Sequence, residues 1–156
     1  MKKSRKPYND RTDLEKLQSQ WWKLSGLNSR EEWSAAVVRA ATAAEIAANI
    51  AIRSEFQSIG SFPSGFVDSL LVWANGLKGK LEKLLVPITK DTERAAAISG
   101  LNSLGLQVNN IRNGIAHRGE FCSRAKAQDA IAKAKEFIEG IVRLYEPGFQ
   151  LKEREP

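Results

Sequence analysis

The sequence contains only one cysteine, Cys122, and only one histidine, His117, in 156 residues. A single cysteine cannot close a disulfide within the chain, and one cysteine with one histidine does not make the ligand set of a zinc site. These absences exclude a disulfide-stapled fold and a single-chain zinc site. They also predict a reducing compartment, and we expect neither a metal nor a cofactor.

The chain has no long hydrophobic run. No apolar segment approaches the roughly 20 residues that cross a bilayer, and no apolar signal region follows the basic N-terminus. We therefore expect a cytoplasmic protein without a membrane partner. The composition, 42% apolar and 27% charged residues, also lacks the signature of disorder, so the chain is expected to fold as one ordinary domain.

The net charge of +6 is unevenly distributed. Most of the excess lies in residues 1–11, where Asp10 is the one carboxylate. We assign residues 1–12 to a basic, flexible arm, which either strengthens phosphate contacts with RNA or serves as a solubilising terminus. The cations that it offers to a nucleic acid are Lys2, Lys3, Arg5 and Lys6.

The hydrophobic pattern predicts helices throughout. Apolar residues recur every three or four positions, and no stretch alternates β-branched with polar residues. We predict an all-α, up-and-down bundle of four to five helices in residues 13–146, followed by a C-terminal tail, 147–156. The predicted helices cover about 13–25, 30–57, 66–87, 92–113 and 124–145.

Local signals place the ends of these helices. Gly26 should stop the first helix, and Ser29 with Glu32 should form a capping box for the second. The second helix is rich in alanine and is expected at the centre of the bundle. Gly114 should break or kink the fourth helix, and Ser123 should cap the fifth.

The concentrated chemistry lies at the end of the fourth predicted helix. Asn109, Arg112 and Asn113 share one face there, whereas His117 would lie about 140° around the axis from the arginine in an unbroken helix. A break at Gly114 would bring them together. A guanidinium that holds a phosphate, beside an imidazole that transfers a proton, suits phosphodiester cleavage by an RNA 2′-hydroxyl. A helix cap or a satisfied core histidine is the alternative interpretation.

The segment from Arg112 to His117, Arg-Asn-Gly-Ile-Ala-His, resembles the signature of HEPN domains, which is an arginine, a polar residue, three variable residues and a histidine. The alanine-rich segment around Glu45 is similar to the earlier long helix of many HEPN proteins. The resemblance covers about Glu32 to Tyr145. It implies a helical bundle and a metal-independent endoribonuclease whose homodimer joins both motifs in one cleft.

The resemblance also implies residue roles. Arg112 would hold the scissile phosphate, His117 would exchange a proton with the 2′-hydroxyl or the leaving oxygen, and Asn113 would orient the pair. Arg118 would contact the nucleic acid. The supporting residues would be Asn109, Gly114 for backbone freedom, and Glu45.

Glu45 stands among alanines, where a carboxylate is costly unless it has a partner. We expect a structural salt bridge, with Arg112 or another motif residue as its partner, rather than a direct catalytic role.

Two functions fit the resemblance. The leading one is an RNA-cleaving toxin component of a toxin-antitoxin or defence system, with RNA as substrate and a cognate antitoxin protein as partner. The alternative is a catalytically silent HEPN dimer that binds a partner or a nucleotide. A DNA-binding regulator is less well supported, because no helix-turn-helix spacing precedes a basic recognition helix.

Overall fold

The structure, a computed structural model, describes residues 6–153, and within that range it is all helical. This confirms the all-α class and the helical bundle predicted from the sequence. A short 3₁₀ turn covers Tyr8–Asp10, and a π-helical segment covers Lys80–Leu85. The α-helices are α1 (Asp13–Ser29), α2 (Trp33–Ile59), α3 (Phe66–Trp73), α4 (Gly76–Gly79), α5 (Val86–Thr89), α6 (Ala95–Arg118) and α7 (Arg124–Arg143).

Helix α2 is the centre of the bundle, as predicted. Helices α1, α6 and α7 all pack against it, and its buried face is mostly alanine. Small side chains let the neighbouring helix axes approach closely. By length and composition α2 could also cross a membrane, but 61% of its most apolar window is buried inside this fold. That burial is typical of a core helix.

The predicted boundary between the first two helices is wrong. Helix α1 continues through Gly26 to Ser29, because one glycine costs a helix only about 1 kcal/mol. Ser29 is inside the helix, where its hydroxyl donates to the Ser25 carbonyl at 3.0 Å, so it does not form a capping box. The capping box lies instead at Thr12 and Glu15, which bond each other's backbone amides at 3.2 and 3.4 Å.

The third predicted helix is divided in the structure. The chain breaks after α3 at Ala74 and turns at Asn75 and Gly76, where the positive φ of 76° favours glycine. Helix α4, the π-helical segment and α5 then follow one another directly. They continue past Pro87, which is the second residue of α5.

The predicted break in the site-bearing helix is also wrong. Helix α6 runs through Asn113 and Gly114 without interruption, and the left-handed residue that ends it is Gly119, with φ 61°. The predicted cap of the next helix is confirmed, since the Ser123 hydroxyl accepts from the Lys126 amide at 3.1 Å. The polar residues of the motif therefore all lie on regular helix.

Two glycines let α6 pack closely against its neighbours. A Cβ on Gly105 would lie 2.8 Å from Leu81 and 2.9 Å from Phe137, and a Cβ on Gly140 would lie 2.6 Å from Leu101. These approaches leave the helix little room to shift. The core thereby fixes the position of the polar end of α6.

A buried ionic cluster ties together distant parts of the chain. Glu55 of α2 is 2% exposed and accepts two bonds from Arg94, at 2.6 and 2.9 Å, and one from the Tyr145 hydroxyl at 2.6 Å. Burial opposes ionisation of Glu55, but the hydrogen bonds from Arg94 and Tyr145 outweigh it and lower the pKa of its carboxyl. The cluster locks α2 to the start of α6 and the end of α7.

Both ends of the described chain pack on α1. Arg11 donates to Ser19 at 3.1 Å, and Gln18 exchanges two hydrogen bonds with the backbone of Lys152, at 2.8 and 2.9 Å. Parts of the predicted arm and of the predicted tail are therefore folded against the bundle. Of the predicted arm cations, Lys2, Lys3 and Arg5 lie outside the described residues.

Candidate functional site

The C-terminal half of α6 forms one wall of a cleft of about 430 Å³. Four of the residues singled out in the sequence line this wall: Asn109, Arg112, Asn113 and His117. Their spacing explains the arrangement, because residues three and four positions apart share one helix face. The opposite walls come from Ala41, Thr42 and Glu45 of α2 and from Asn75, Gly76, Leu77 and Lys78 of the turn before and into α4.

Arg112 and His117 are in direct contact. One guanidinium nitrogen, Nη1 of Arg112, lies 2.9 Å from Nε2 of His117 and donates to Oδ1 of Asn113 at 3.2 Å. The arginine side chain is long enough to reach around the helix to a residue five positions on. The contact forms on regular helix and needs no break at Gly114.

The contact has a defined direction when it is a hydrogen bond. A guanidinium has only donors, so Nε2 of His117 is the acceptor in that bond and Nδ1 carries the ring proton. His117 is exposed at the cleft, and Arg112 is half-buried beneath it. Among residues 6–153, Arg112 uses only Nη1 for these bonds, so its Nε–Nη2 edge is available for a bidentate anion.

Glu45 has a salt bridge, but its partner is not the predicted one. Its Oε1 lies 3.2 Å from Nζ of Lys80, rather than beside Arg112. Lys80 is 5% exposed and also donates to the carbonyls of Leu71 and Ala74, at 2.9 and 3.3 Å. Glu45 and Lys80 therefore hold the end of α3 and the following turn in place as a wall of the cleft.

Gly114 has a packing role that differs from the predicted one. It is buried in regular helix, and a Cβ there would displace the flexible end of the Glu120 side chain, which folds back over the end of α6. Glu120 binds Arg118 at 2.9 Å and Lys126 at 3.3 Å, and the hydrogen bond from Arg118 lowers the pKa of its carboxyl. The structure thus pairs Arg118 with Glu120 and does not bring it into the cleft lining.

Of the four basic arm residues predicted to bind nucleic acid, only Lys6 is among the described residues, and it does not line the motif cleft. Lys6 is 3.7 Å from Glu15 of α1 and lines a separate pocket beside Trp22. It is not brought to the motif cleft.

The sequence analysis missed Asn75 and Lys78 of the cleft, and Lys80, which binds Glu45 of the cleft. Asn75 and Lys80 each had a signal. The Asn75-Gly76 pair is a typical turn dipeptide inside the third predicted helix, and Lys80 lies within an otherwise apolar stripe between Leu77 and Leu84. A buried lysine needs acceptors, which here are two carbonyls and Glu45.

Exposed apolar side chains occur on chain segments next to the cleft. Phe121, four residues after His117, is 85% exposed, and Val72 and Trp73, just before the Asn75 turn, are 78% and 60% exposed. Each of these exposed side chains offers apolar surface for an interaction.

The arrangement can hold an anionic group and move a proton beside it. Within residues 6–153, no group of three or more histidine, cysteine or acidic side chains is placed to hold a metal ion. Comparison with known proteins adds no relative: no protein-family model matches the chain, and no curated protein or solved structure is significantly similar to it. The site's own chemistry therefore carries the functional argument.

Proposed function

We propose that the protein is an endoribonuclease of HEPN type that cleaves RNA at the Arg112–His117 cleft without a metal. The observation that carries the proposal is the contact between Nη1 of Arg112 and Nε2 of His117 at the open cleft. The match to the HEPN signature and the position of the motif at the end of a long helix in an all-α bundle support it.

In the proposed reaction, the Nε–Nη2 edge of Arg112 binds the two non-bridging oxygens of the scissile phosphate. Nη1 then releases His117, whose Nε2 accepts the proton of the 2′-hydroxyl. The 2′-oxygen attacks phosphorus, and the bond to the 5′-oxygen breaks, which leaves a 2′,3′-cyclic phosphate and a 5′-hydroxyl end. Because the nucleophile belongs to the RNA, the chain needs to supply only charge, a proton acceptor and a proton donor.

A homodimer completes the proposed site. The departing 5′-oxygen needs a proton, and the His117 of the other chain of the dimer, in its protonated imidazolium form, supplies it in the joint cleft. The exposed Phe121, Val72 and Trp73 offer apolar surface beside the cleft for this contact.

The cleavage test uses alanine variants of the two motif residues on a single-stranded RNA. We expect Arg112→Ala and His117→Ala each to slow cleavage by about 10²–10⁴-fold, the usual effect of losing a positioned acid or base, and Asn113→Ala to be milder. Wild-type cleavage should survive EDTA, produce 2′,3′-cyclic phosphate ends, and fail on an RNA with 2′-deoxyribose at the cleavage position.

The matched control is Arg30→Ala, which removes the same charge from an exposed position at the end of α1. It should cleave like the wild type, and circular dichroism should show the same helicity in all variants. Equal cleavage by the wild type and His117→Ala would contradict the assignment. An inactive wild type whose His117→Ala variant loses stability would favour the silent HEPN dimer.

The biological setting of such an activity is a cytoplasmic toxin controlled by a cognate antitoxin protein. Expression of the wild type should then arrest growth, and expression of His117→Ala should not. Normal growth with the wild type and intact cellular RNA would contradict the toxin role while leaving cleavage in vitro to be judged separately.

A further inference from the structure

A second concentration of positive charge surrounds the ring of Tyr8. The guanidinium carbon of Arg11 and the ammonium nitrogens of Lys16 and Lys23 each lie 5.6 Å from the centroid of this ring. Any two of these three cationic groups are therefore at most 11.2 Å apart, which is twice 5.6 Å. We call Tyr8, Arg11, Lys16, Lys23 and Arg39 the Tyr8 patch.

A buried glutamine fixes the patch. Gln20 of α1 is 5% exposed, and its Nε2 lies 3.0 Å from the Tyr8 hydroxyl, to which it donates. Its Oε1 accepts from Arg39 at 2.8 Å, so that one buried amide holds both the ring and a fourth cation. Arg11 is held separately, by the Lys6 carbonyl at 2.9 Å and by Ser19.

The cations of the patch are not neutralised by the fold. Among residues 6–153, no carboxylate lies within 4.0 Å of Arg11, Lys16, Lys23 or Arg39. Of the carboxylates close by in the chain, Asp13 binds Arg53 at 3.3 Å and Glu15 binds Lys6 at 3.7 Å, while Asp10, in the turn with Tyr8, forms no ion pair within residues 6–153.

Like charges within about one Debye length repel, and the ring face offsets only about 0.5–1 kcal/mol for each exposed cation. A bound polyanion would remove the repulsion.

An aromatic pocket adjoins the patch. Arg11 also lines a cleft of about 300 Å³ whose wall includes Trp22, and the Trp22 side chain is 40% exposed. Cations that track a backbone beside an aromatic face are the usual means of binding single-stranded nucleic acid. The basic residues Lys2, Lys3 and Arg5 immediately precede this surface in the chain.

We propose that the Tyr8 patch binds the phosphate backbone of single-stranded RNA, with a base stacked on Trp22, at a site distinct from the motif cleft. The inference rests on the proposed function for the identity of the ligand, because a second binding site would hold the RNA that the protein is proposed to cleave. Its physical basis, a fixed set of unpaired cations beside an exposed indole, is independent of catalysis.

The test compares two double variants in the full chain carrying His117→Ala, so that the RNA stays intact. Lys16→Gln with Lys23→Gln removes two charges from the patch, and Lys83→Gln with Lys90→Gln removes two exposed lysines elsewhere. Binding of a fluorescent 20-nucleotide RNA is measured by anisotropy from 50 to 300 mM salt. Each lost phosphate contact should reduce the slope of log K against log salt by about 0.7, so affinity at 0.1 M salt should fall about 25-fold in the patch variant.

The control pair should change neither the slope nor the affinity appreciably, and Trp22→Ala should weaken binding at every salt concentration without changing the slope. Equal loss in the patch and control variants, or no loss in either, would overturn the proposal. Loss of binding to anionic phospholipid vesicles with unchanged RNA binding would assign the patch to a membrane surface instead.

Cleavage by the parent without His117→Ala separates this proposal from the proposed function. If the parent does not cleave RNA but the patch variant loses RNA binding, the RNA-binding patch is supported and the nuclease proposal is contradicted. If the parent cleaves RNA but the patch variant binds RNA like the control pair, the nuclease proposal is supported and the patch proposal is contradicted.

Discussion

Arg112 contacts His117 although the two residues lie five positions apart on one unbroken helix. The Nε and Nη2 atoms of the same guanidinium have no hydrogen-bond partner among residues 6–153. Arg94 is different, because its Nε and Nη2 both bind the buried carboxylate of Glu55. One arginine is therefore available to a ligand, and the other is committed to the fold.

The Glu55 cluster should make folding pH-dependent. Because the folded-state pKa of Glu55 lies below its ordinary value of 4.5, the ionised carboxyl stabilises the fold fully above that value, and the stabilisation is lost as pH falls toward the lower folded-state pKa. Glu55→Gln should lower the free energy of unfolding at pH 7 by about 3 kcal/mol, since Arg94 loses its partner. Urea titrations at pH 7 and pH 3.5 measure both effects.

The control for this prediction is Glu146→Gln, which changes an exposed carboxyl near the same end of α7. It should unfold like the wild type at both pH values. The difference in stability between wild type and Glu55→Gln should shrink at pH 3.5. A difference that stays constant across this range would show that the ionised Glu55 does not contribute to stability as described.

At the scale of helices, the sequence was sufficient to predict the all-α class and the order of the long helices, but not where each helix begins and ends. The alanine-rich α2 and the apolar spacing of α7 depend on burial along a whole face, which local sequence records well. Gly26 and Gly114 were misread as ends because each looks like a helix stop locally, while packing across the bundle favours continued helix. The Arg112–His117 proximity was predicted, but through a break at Gly114 that the structure does not have, and the cleft wall with Asn75 and Lys78 depends on long-range packing.

Two glycines of α6 provide a test of this packing. A Cβ at Gly105 would meet Leu81 and Phe137, both fully buried, whereas a Cβ at Gly100 would meet nothing within 4 Å. We expect Gly100→Ala to raise the free energy of unfolding by about 0.5–1 kcal/mol through helix propensity. Gly105→Ala should lower it by about 1–2 kcal/mol, because overpacking exceeds that gain.

Thermal or urea unfolding of the two alanine variants checks this expectation directly. If Gly100→Ala and Gly105→Ala raise the free energy of unfolding equally, α6 is not held as closely to α7 as the structure describes. The close approach also supports the candidate site, because a helix that cannot shift keeps its polar end at a fixed distance from α2.

At the scale of the whole molecule, the two proposed interaction surfaces lie on different segments of the chain. The cations of the Tyr8 patch lie on and beside α1, whereas the most exposed phenylalanine, Phe121, follows the motif between α6 and α7. RNA binding by the patch and self-association, both as proposed, would therefore use different segments. The proposed homodimer can be tested without reference to catalysis.

Phe121→Lys should weaken the proposed dimer without unfolding the chain. The side chain is 85% exposed in one chain, so its replacement should change monomer stability by less than about 0.5 kcal/mol. Loss of a phenylalanine from an interface costs about 2 kcal/mol, which raises the dimer Kd about 30-fold. Light scattering should report about twice the 17.3 kDa chain mass for the wild type at tens of micromolar and a mass nearer one chain for Phe121→Lys.

The matched control is Ile59→Lys, an equally drastic change at a 61% exposed position. Ile59 lies at the C-terminal end of α2, about 21 Å along the helix axis from Glu45 and the motif cleft. This variant should remain dimeric because its position is remote from the proposed joint cleft. A wild type that remains a single chain at these concentrations would contradict the proposed dimer. A dimer that Ile59→Lys disrupts and Phe121→Lys does not would show that the chains associate away from the motif. Either result would rule out a second His117 in the proposed reaction.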